Sequence, residues 1–284
     1  MMCAPASRAE LARPGPGAFH FRGLKGQDMT HTDVLTISHQ DAIAHITLNR
    51  PAKRNALNDD LIAALDAFFS SVADSTRVIV VSGSEGHFSS GLDLSQHVAR
   101  QALEVMAHSR NWHRVMALVA QSPRPVVAAM TGAVMGGGLE FAATCHVRVA
   151  EETVRFQMPE GMRGIFVGGG GSVRISRLIG ADRMTEMMLT GRSYSGAEGE
   201  RLGLAHHCVA EGQALPKAFE LAERIARNSP TINAFIIQAL AQISSMPPEA
   251  GLYAESLTAA LSQTGPDAEE GLRAFLEKRV PVFR

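Results

Sequence analysis

Polar and apolar residues alternate in the first ordered-looking part of the chain, and the pattern then changes to unbroken apolar runs. VLTIS (residues 34–38) and AIAHITL (42–48) carry period-two patterning, and they predict two strands joined as a hairpin across His39–Asp41. NRPAKRNAL reads as an irregular turn. Asn58 then stands where a helix N-cap belongs, ahead of DDLIAALDAFFSSVA, with Asp59 and Asp60 suited to the positive end of the helix dipole. Leu61, Ala64, Leu65 and Phe68 form the expected inward stripe.

VIVVSG (78–83) is continuously apolar, as expected of a strand covered on both faces. A serine- and glycine-rich loop, HFSSGLDL, leads to a helix over roughly 101–119 that ends before Pro123 and Pro125. PVVAAMTG (125–132) predicts another buried strand, a glycine triad then opens a helix, and HVRVA (146–150) returns as a strand. This alternation predicts an α/β core with right-handed crossovers. Past Glu160 the segments GIFVGGGGSVRISRLIG, ADRMTEMMLTG and SGAEGERLGL read as turn and helices. From Ala218 onward the chain is mostly helical with breaks at Pro230 and Pro247–Pro248, helices without sheet partners of their own and suited to packing or assembly. The expected organisation is a flexible leader over 1–32, a core over 33–220 and a helical region over 221–284. In the leader, Met29 is a candidate natural start and a vestigial organelle-targeting segment is the alternative reading.

Composition narrows the chemistry. The 284 residues carry 27 Lys and Arg against 28 Asp and Glu, a formal net charge of −1, which gives no broad electrostatic attraction to nucleic acid but leaves room for a local phosphate-binding patch. Cys3, Cys145 and Cys208 are too few and too scattered for a disulfide scaffold or a CxxC metal site, and they read as free thiols of a cytoplasmic protein. No apolar run approaches the ~20 residues of a membrane-spanning helix. His108 with His113, and His206–His207–Cys208, lack a metal-ligand register, so no metal is expected. GGGGSVR lacks the lysine and serine spacing of a P-loop, and neither G-x-S-x-G nor a dinucleotide fingerprint occurs. Trp112 and Met184, Met187 and Met188 read as helix packing.

Two acids stand out. Glu140 lies in GGGLEFAATC, among small and apolar neighbours, where a carboxylate is costly unless paired, hydrogen-bonded or protonated. Glu160 lies in FQMPEG at an element boundary. If the strand after Glu140 runs back beside its helix, the two share a cavity, and burial with mutual repulsion raises at least one pKa into the range of acid–base catalysis. The structural alternative pairs Glu140 with Arg148 or Arg155. The glycine triad offers unpaired first-turn amides to an oxyanion, or serves only as a tight turn for helix packing. HFSSGLDL follows a buried strand, where α/β sheets place their ligand crevice; Ser89 and Ser90 bind substrate or satisfy their own loop, and Asp93 is catalytic or a turn cap.

The ordered set NRPAKRNALN, VIVVSGSEGHFSSGLDL, MTGAVMGGGLEFAATCHVRVA, FQMPEGMRGIFVGGGGSVRISRLIG, LTGRSYSGAEGERLGL and FLEKRVPVFR resembles the enoyl-CoA hydratase/isomerase (crotonase) family over about 34–284. The resemblance implies a spiral of ββα turns followed by a helical trimerisation region, commonly assembled as a homotrimer or a homohexamer built as a dimer of trimers. It implies an acyl-CoA thioester as substrate, with coenzyme A carried by the substrate and no other cofactor. The matching residues are Leu92 and Gly137 for the oxyanion hole and Glu140 and Glu160 for catalysis. Lys53, Arg54 and Ala56 match the coenzyme A turn, and Phe275 and Lys278 match residues that reach the coenzyme of a neighbouring subunit. Both glutamates being present favours hydration of a 2-enoyl-CoA over Δ3,Δ2-isomerisation or another reaction of the family. A non-catalytic acyl-CoA-binding or RNA-binding member is the second class of reading. The dienoyl-CoA isomerase branch shares the SSGLDL loop but carries an acid where this chain has Gly168. His146 where the family often has an acid, Val167 in place of a common proline, and the bulk of Leu92 are the departures from the family pattern.

Overall fold

The computed structural model describes residues 30–96 and 101–283. A short strand β1 (Thr30–His31) pairs antiparallel with β2 (Leu35–Gln40), and β2 forms the expected hairpin with β3 (Ile43–Leu48). From there every new strand of the large sheet is parallel: β4 (Val78–Gly83) beside β3, β5 (Val126–Met130) beside β4, β7 (Val147–Glu151) beside β5, and β10 (His207–Val209) at the far edge. A second sheet of three short strands, β6 (Ala133–Met135), β8 (Arg155–Gln157) and β9 (Ser193–Ser195), lies beyond the first, and a bridge from Ser89 to Val134 extends it. Successive passes of the chain thus leave one strand in the large sheet and one segment in the small sheet: β4 with Ser89, β5 with β6, β7 with β8. This is the spiral of ββα turns expected above.

Helices close each turn. They are α1 (Asp59–Ser70), α2 (Ala102–Ala120), α3 (Gly137–Ala142), α4 (Gly171–Ile179), α5 (Ala181–Thr190) and α6 (Gly196–Leu202). Asn58 caps α1, its Oδ1 accepting from the Leu61 amide. The buried stripe of α1 is Leu61, Ile62, Leu65 and Phe69, whereas Ala64 and Phe68 of the expected stripe are only half-buried, because the helix lies slightly rotated against β2 and α2.

The large sheet is covered on both faces, which accounts for the unbroken apolar strands. Ala44, Ile46, Leu48, Ile79, Val81 and Ala128 point into the main core with α1 and α2. Their neighbours Ile43, Val78, Val80, Val127 and Val149 point the other way, onto Ala214, Ala218 and Ala222 of α7 (Ala214–Ala226). Alanines on the helix allow close approach to a β-branched sheet surface. His45, on that same face, has its pKa lowered to about 4 by burial, so it is a neutral ring, bonded to the Ser82 hydroxyl at 2.8 Å and edge-on to Phe219. Three helices follow, α8 (Pro230–Ile243), α9 (Pro248–Gln263) and α10 (Pro266–Leu276), each begun by a proline. No helix among the described residues is long and apolar enough to cross a membrane.

Buried cations and imidazoles act as staples. Arg148 donates to the carbonyls of Leu204, Cys145 and Gly203, tying β7 to the end of α6. His146 accepts from the Val126 amide through Nδ1 and pairs with the Ala120 carbonyl through Nε2, which fixes its tautomer and joins the end of α2 to the start of β5. The residue that departs from the family pattern is therefore a satisfied structural histidine.

Ile46 is fully buried at the centre of the main core. Ile46→Ala should lower the unfolding free energy by about 2–5 kcal/mol, read as a reduced urea midpoint with the m-value unchanged.

Candidate active site

The parallel bridge between Leu57 and Leu92 sets the first donor. Leu57 uses both of its own main-chain groups, its amide donating to the Gly91 carbonyl at 2.7 Å and its carbonyl accepting from the Asp93 amide at 2.9 Å. In that pattern the amide of Leu92 points away from Leu57. The other side of the loop is stitched to the small sheet through Ser89, whose amide donates to Ala133 and whose carbonyl accepts from Met135. Ser89 Oγ accepts from the Gly91 amide and Ser90 Oγ donates to the Lys53 carbonyl, so both serines hold the loop's backbone.

Gly137 supplies the second donor as the first residue of α3, where an amide has no intrahelical acceptor. The two come together: a Cβ built on Gly137 would lie 3.4 Å from the Leu92 nitrogen, and one built on Gly91 would lie 3.2 Å from the Gly137 nitrogen. Gly136, just before the helix, has φ +49°, and a Cβ there would lie 2.8 Å from Glu160 Oε1. Only glycine fits that conformation and that space.

Glu140 projects from α3 and is 3% exposed. Neither Arg148 nor Arg155 pairs with it. Its Oε1 accepts from the Gly169 amide at 2.9 Å and the Gly171 amide at 2.7 Å, both at the entry to α4. Burial pushes its pKa up, and those two amides and the Arg174 cation pull it back. Glu160, 6% exposed, opens a 3-10 turn over Gly161–Arg163, and its Oε2 is buried with no hydrogen-bond partner. Burial raises its pKa to about 7; its own backbone amide lowers it, the Glu140 charge adds to the rise and Arg163 offsets part of it. The two carboxyl groups are close enough for the charge of one to act on the other, and their surroundings are unequal: one is anchored by main-chain donors, the other is left near half-protonation at neutral pH.

The turn expected to hold coenzyme A adjoins this loop. Arg54 and Asn55 are both left-handed, with φ +48° and +56°. Asn55 is fully buried and sustains the turn by accepting from the Arg50 amide and the Ser84 hydroxyl and donating to the Ser84 and His87 carbonyls. Lys53 and Arg54 are exposed, and Lys53 Nζ lies 3.4 Å from Ser95 Oγ; Ala56 is buried, with its carbonyl bound by Arg50 Nη1. Arg50 also pairs with Asp93 at 2.7 Å. Ser95 and then Arg50 hold the Asp93 carboxyl at about 2, so it is ionised and joins the turn to the loop that carries Leu92. Sequence reading gave Asp93 a choice of roles and passed over Arg50, since 43 positions of separation leave no local signal. Phe275 (78% exposed) and Lys278 lie on and just past α10, tied to none of these residues by a hydrogen bond or ion pair among the described residues. No group of three His, Cys, Asp or Glu among the described residues is placed to hold a metal ion.

Comparison with known proteins agrees with the geometry. The sequence model of the family described as enoyl-CoA hydratase/isomerase matches residues 38–284. The chain is 34% identical over 254 residues to the 2,3-dehydroadipyl-CoA hydratase of Escherichia coli (strain K12), covering 88% of this chain and 98% of that protein. Among solved structures, one from Rhodopseudomonas palustris is 48% identical with a TM-score of 0.85, over 86% of this chain and 95% of its own. The enoyl-CoA hydratase of Bacillus anthracis is 30% identical with a TM-score of 0.83, over 88% of this chain and 98% of its own. The ββα spiral, the two converging amides and the match over nearly the whole of these relatives lead to one assignment: this chain belongs to the enoyl-CoA hydratase/isomerase (crotonase) family.

Proposed function

We propose that this member of an acyl-CoA hydratase/isomerase family is a hydratase, adding water across the C2–C3 double bond of a 2-enoyl-CoA to give a 3-hydroxyacyl-CoA. The supporting observation is the unequal setting of the two carboxyl groups. Glu140, held by two amides, serves as the base that orients and deprotonates water for attack at C3. Glu160, whose pKa is raised to about 7 and whose Oε2 has no partner, serves as the acid that delivers a proton to C2. The thioester oxygen sits between the amides of Leu92 and Gly137, where the enolate-like charge of the transition state is stabilised by roughly 3–4 kcal/mol per well-placed donor. Backbone dipoles handle that charge, so the mechanism calls on no metal or redox group. Lys53 and Arg54 bind coenzyme A phosphates beside Ala56, and Phe275 and Lys278 reach the coenzyme held by a neighbouring subunit.

Assembly as a trimer or a dimer of trimers is supported by the apolar surface of the C-terminal helices. Tyr253, Leu257 and Leu261 recur every fourth residue on α9 and are 68%, 50% and 66% exposed. Free Cys145 and Cys208 support a reducing, cytoplasmic setting.

Glu140→Gln keeps an acceptor for Gly169 and Gly171 but cannot take a proton, and should lower kcat at least ~100-fold with KM little changed. The assay is loss of the conjugated enoyl-thioester absorbance with crotonyl-CoA or a longer substrate; an isomerase would instead generate that absorbance from a 3-enoyl-CoA. Because Glu160 acts in its protonated form, kcat/KM should fall as pH rises through about 7, approaching tenfold per pH unit, and Glu160→Gln should abolish that limb along with most turnover.

The same group makes a stability statement. A carboxyl whose folded pKa lies above the ~4.3 of an unfolded glutamate stabilises fully below that value and loses the contribution as pH rises through 7. Glu160→Gln should therefore be the more stable protein at pH 8–9, by about 1–3 kcal/mol, with the difference shrinking as pH falls and vanishing only below ~4 when thermal melts are compared. Leu257→Glu with Leu261→Glu should shift the assembly to smaller species by light scattering, and an unaltered mass would remove this face from the interface.

A further inference from the structure

Residues 168–171 are four consecutive glycines, with no side chains of their own to pack. Yet they carry both amides that hold Glu140, and glycine is the residue that loses most conformational freedom on ordering. Something outside the segment has to fix it.

Two side chains do so. Ser109, on α2, donates its hydroxyl proton to the Gly168 carbonyl at 2.7 Å. Arg174, in the second turn of α4, donates from Nη1 to the Gly169 carbonyl at 3.1 Å. The Gly168 carbonyl and the Gly169 amide belong to one planar trans peptide and point in opposite directions. Ser109 thus holds the outer edge of the same plate whose inner edge meets Glu140 Oε1. Polarisation along hydroxyl, peptide and carboxylate strengthens each bond in the chain. The Gly170 carbonyl accepts from the Val173 and Arg174 amides, which orients the next plate and with it the Gly171 amide.

We propose that Ser109 and Arg174 are positioning residues for Glu140: Ser109 grips the Gly168 carbonyl of the plate whose amide meets Oε1, and Arg174 clamps the Gly169 carbonyl of the plate between the two donors, so that the Gly169 and Gly171 amides fix one carboxylate oxygen and leave the other for water. The proposal deepens the hydratase reading and rests on it for the role of Glu140. Oε2 of Glu140 accepts no hydrogen bond among the described residues, as that role requires. Arg174 contributes charge as well as a hydrogen bond, and it pulls the Glu140 pKa down against burial. The charged and titratable groups around the pair are Glu160 with Arg163 beside it, Arg177 near Arg174, and His113, whose Nε2 lies 3.5 Å from Ser109 Oγ.

Ser109→Ala, Arg174→Gln and Arg174→Lys in the full chain separate these effects through two readouts. Hydrogen exchange measured by mass spectrometry on peptides spanning 164–175 reads the strap without substrate. The Gly169 and Gly171 amides should exchange at least ~10-fold faster in S109A and R174Q, the loss expected for one supporting hydrogen bond. Unchanged exchange would overturn the proposal whatever the activity. The second readout is the pH dependence of turnover with crotonyl-CoA. Glu140 works ionised, so rate rises with pH through its pKa; R174Q should move that rising limb up by about half a pH unit or more, and R174K should restore it. S109A should lower kcat about 10-fold with KM within about twofold and the limb in place, since no charge is lost. Variants that lose thermal stability alone, with kcat and limb intact, would reduce both residues to structural parts and refute the proposal. If the unaltered protein hydrates no enoyl-CoA, the hydratase reading fails, and the exchange result still decides whether the strap is held as described.

Discussion

A carboxylate 3% exposed, with no cation bonded to it, stays in this fold because two main-chain amides converge on one of its oxygens. Burying an unpaired charge costs several kcal/mol even after relaxation, so these bonds are a condition for the rest of the site. They are available only because the chain enters α4 through glycines close against α3. A Cβ on Gly169 would lie 2.9 Å from Glu140 Oε2, and one on Gly171 would lie 2.8 Å from its Cγ. The glycines, the helix start and the acid are therefore one unit, and none keeps its geometry without the others.

The spiral explains why such a unit faces the converging amides. Each pass through the large sheet delivers a loop to the same end of the parallel strands, where the small sheet gathers Ser89, β6 and β8 side by side. Leu92 follows Ser89, Gly137 follows β6 and Glu160 follows β8, so three successive passes each carry one of these residues past the same end of the sheet. The rigid part is the doubly covered sheet, whose alternating faces are filled by α7 on one side and α1 and α2 on the other. α7 runs across residue 220 and packs on β4, β5 and β7, so the sheet's second face depends on residues beyond that position.

Much of this was legible in the sequence, for identifiable reasons. Continuous apolar strands, the Asn58 cap and the helix over 102–120 are local signals, strong enough to survive in any fold. Glu140 and Glu160 stood out before any contact was known, because a carboxylate among small apolar neighbours is costly unless paired, hydrogen-bonded or protonated. The strands β6, β8, β9 and β10, three residues each, were not legible, since a period of two cannot be recognised in so short a run. Nor was the partner of Glu140. Arg148 and Arg155 were the cations in view, but Arg148 is consumed by three carbonyls, and backbone donors leave no residue-type signature. The Arg50–Asp93 pair was hidden by distance along the chain.

The unequal settings of the two carboxyl groups follow from what surrounds each. Burial raises both pKa values, and if each relied on a shared cation their titrations would move together and neither would be assigned a role. Two main-chain amides of the glycine strap bond to Glu140, whereas the main-chain pull on Glu160 comes from its own amide. The two amides and Arg174 offset part of the rise that burial gives Glu140, and its charge adds to the rise at Glu160, which that residue's own amide and Arg163 oppose in part. Two identical side chains are thus set in unequal surroundings, Glu140 Oε1 bonded by two strap amides and Glu160 Oε2 without a partner. Burial is what lifts Glu160 to about 7, and its partnerless Oε2 is the kind of orphaned group that a purely structural core avoids.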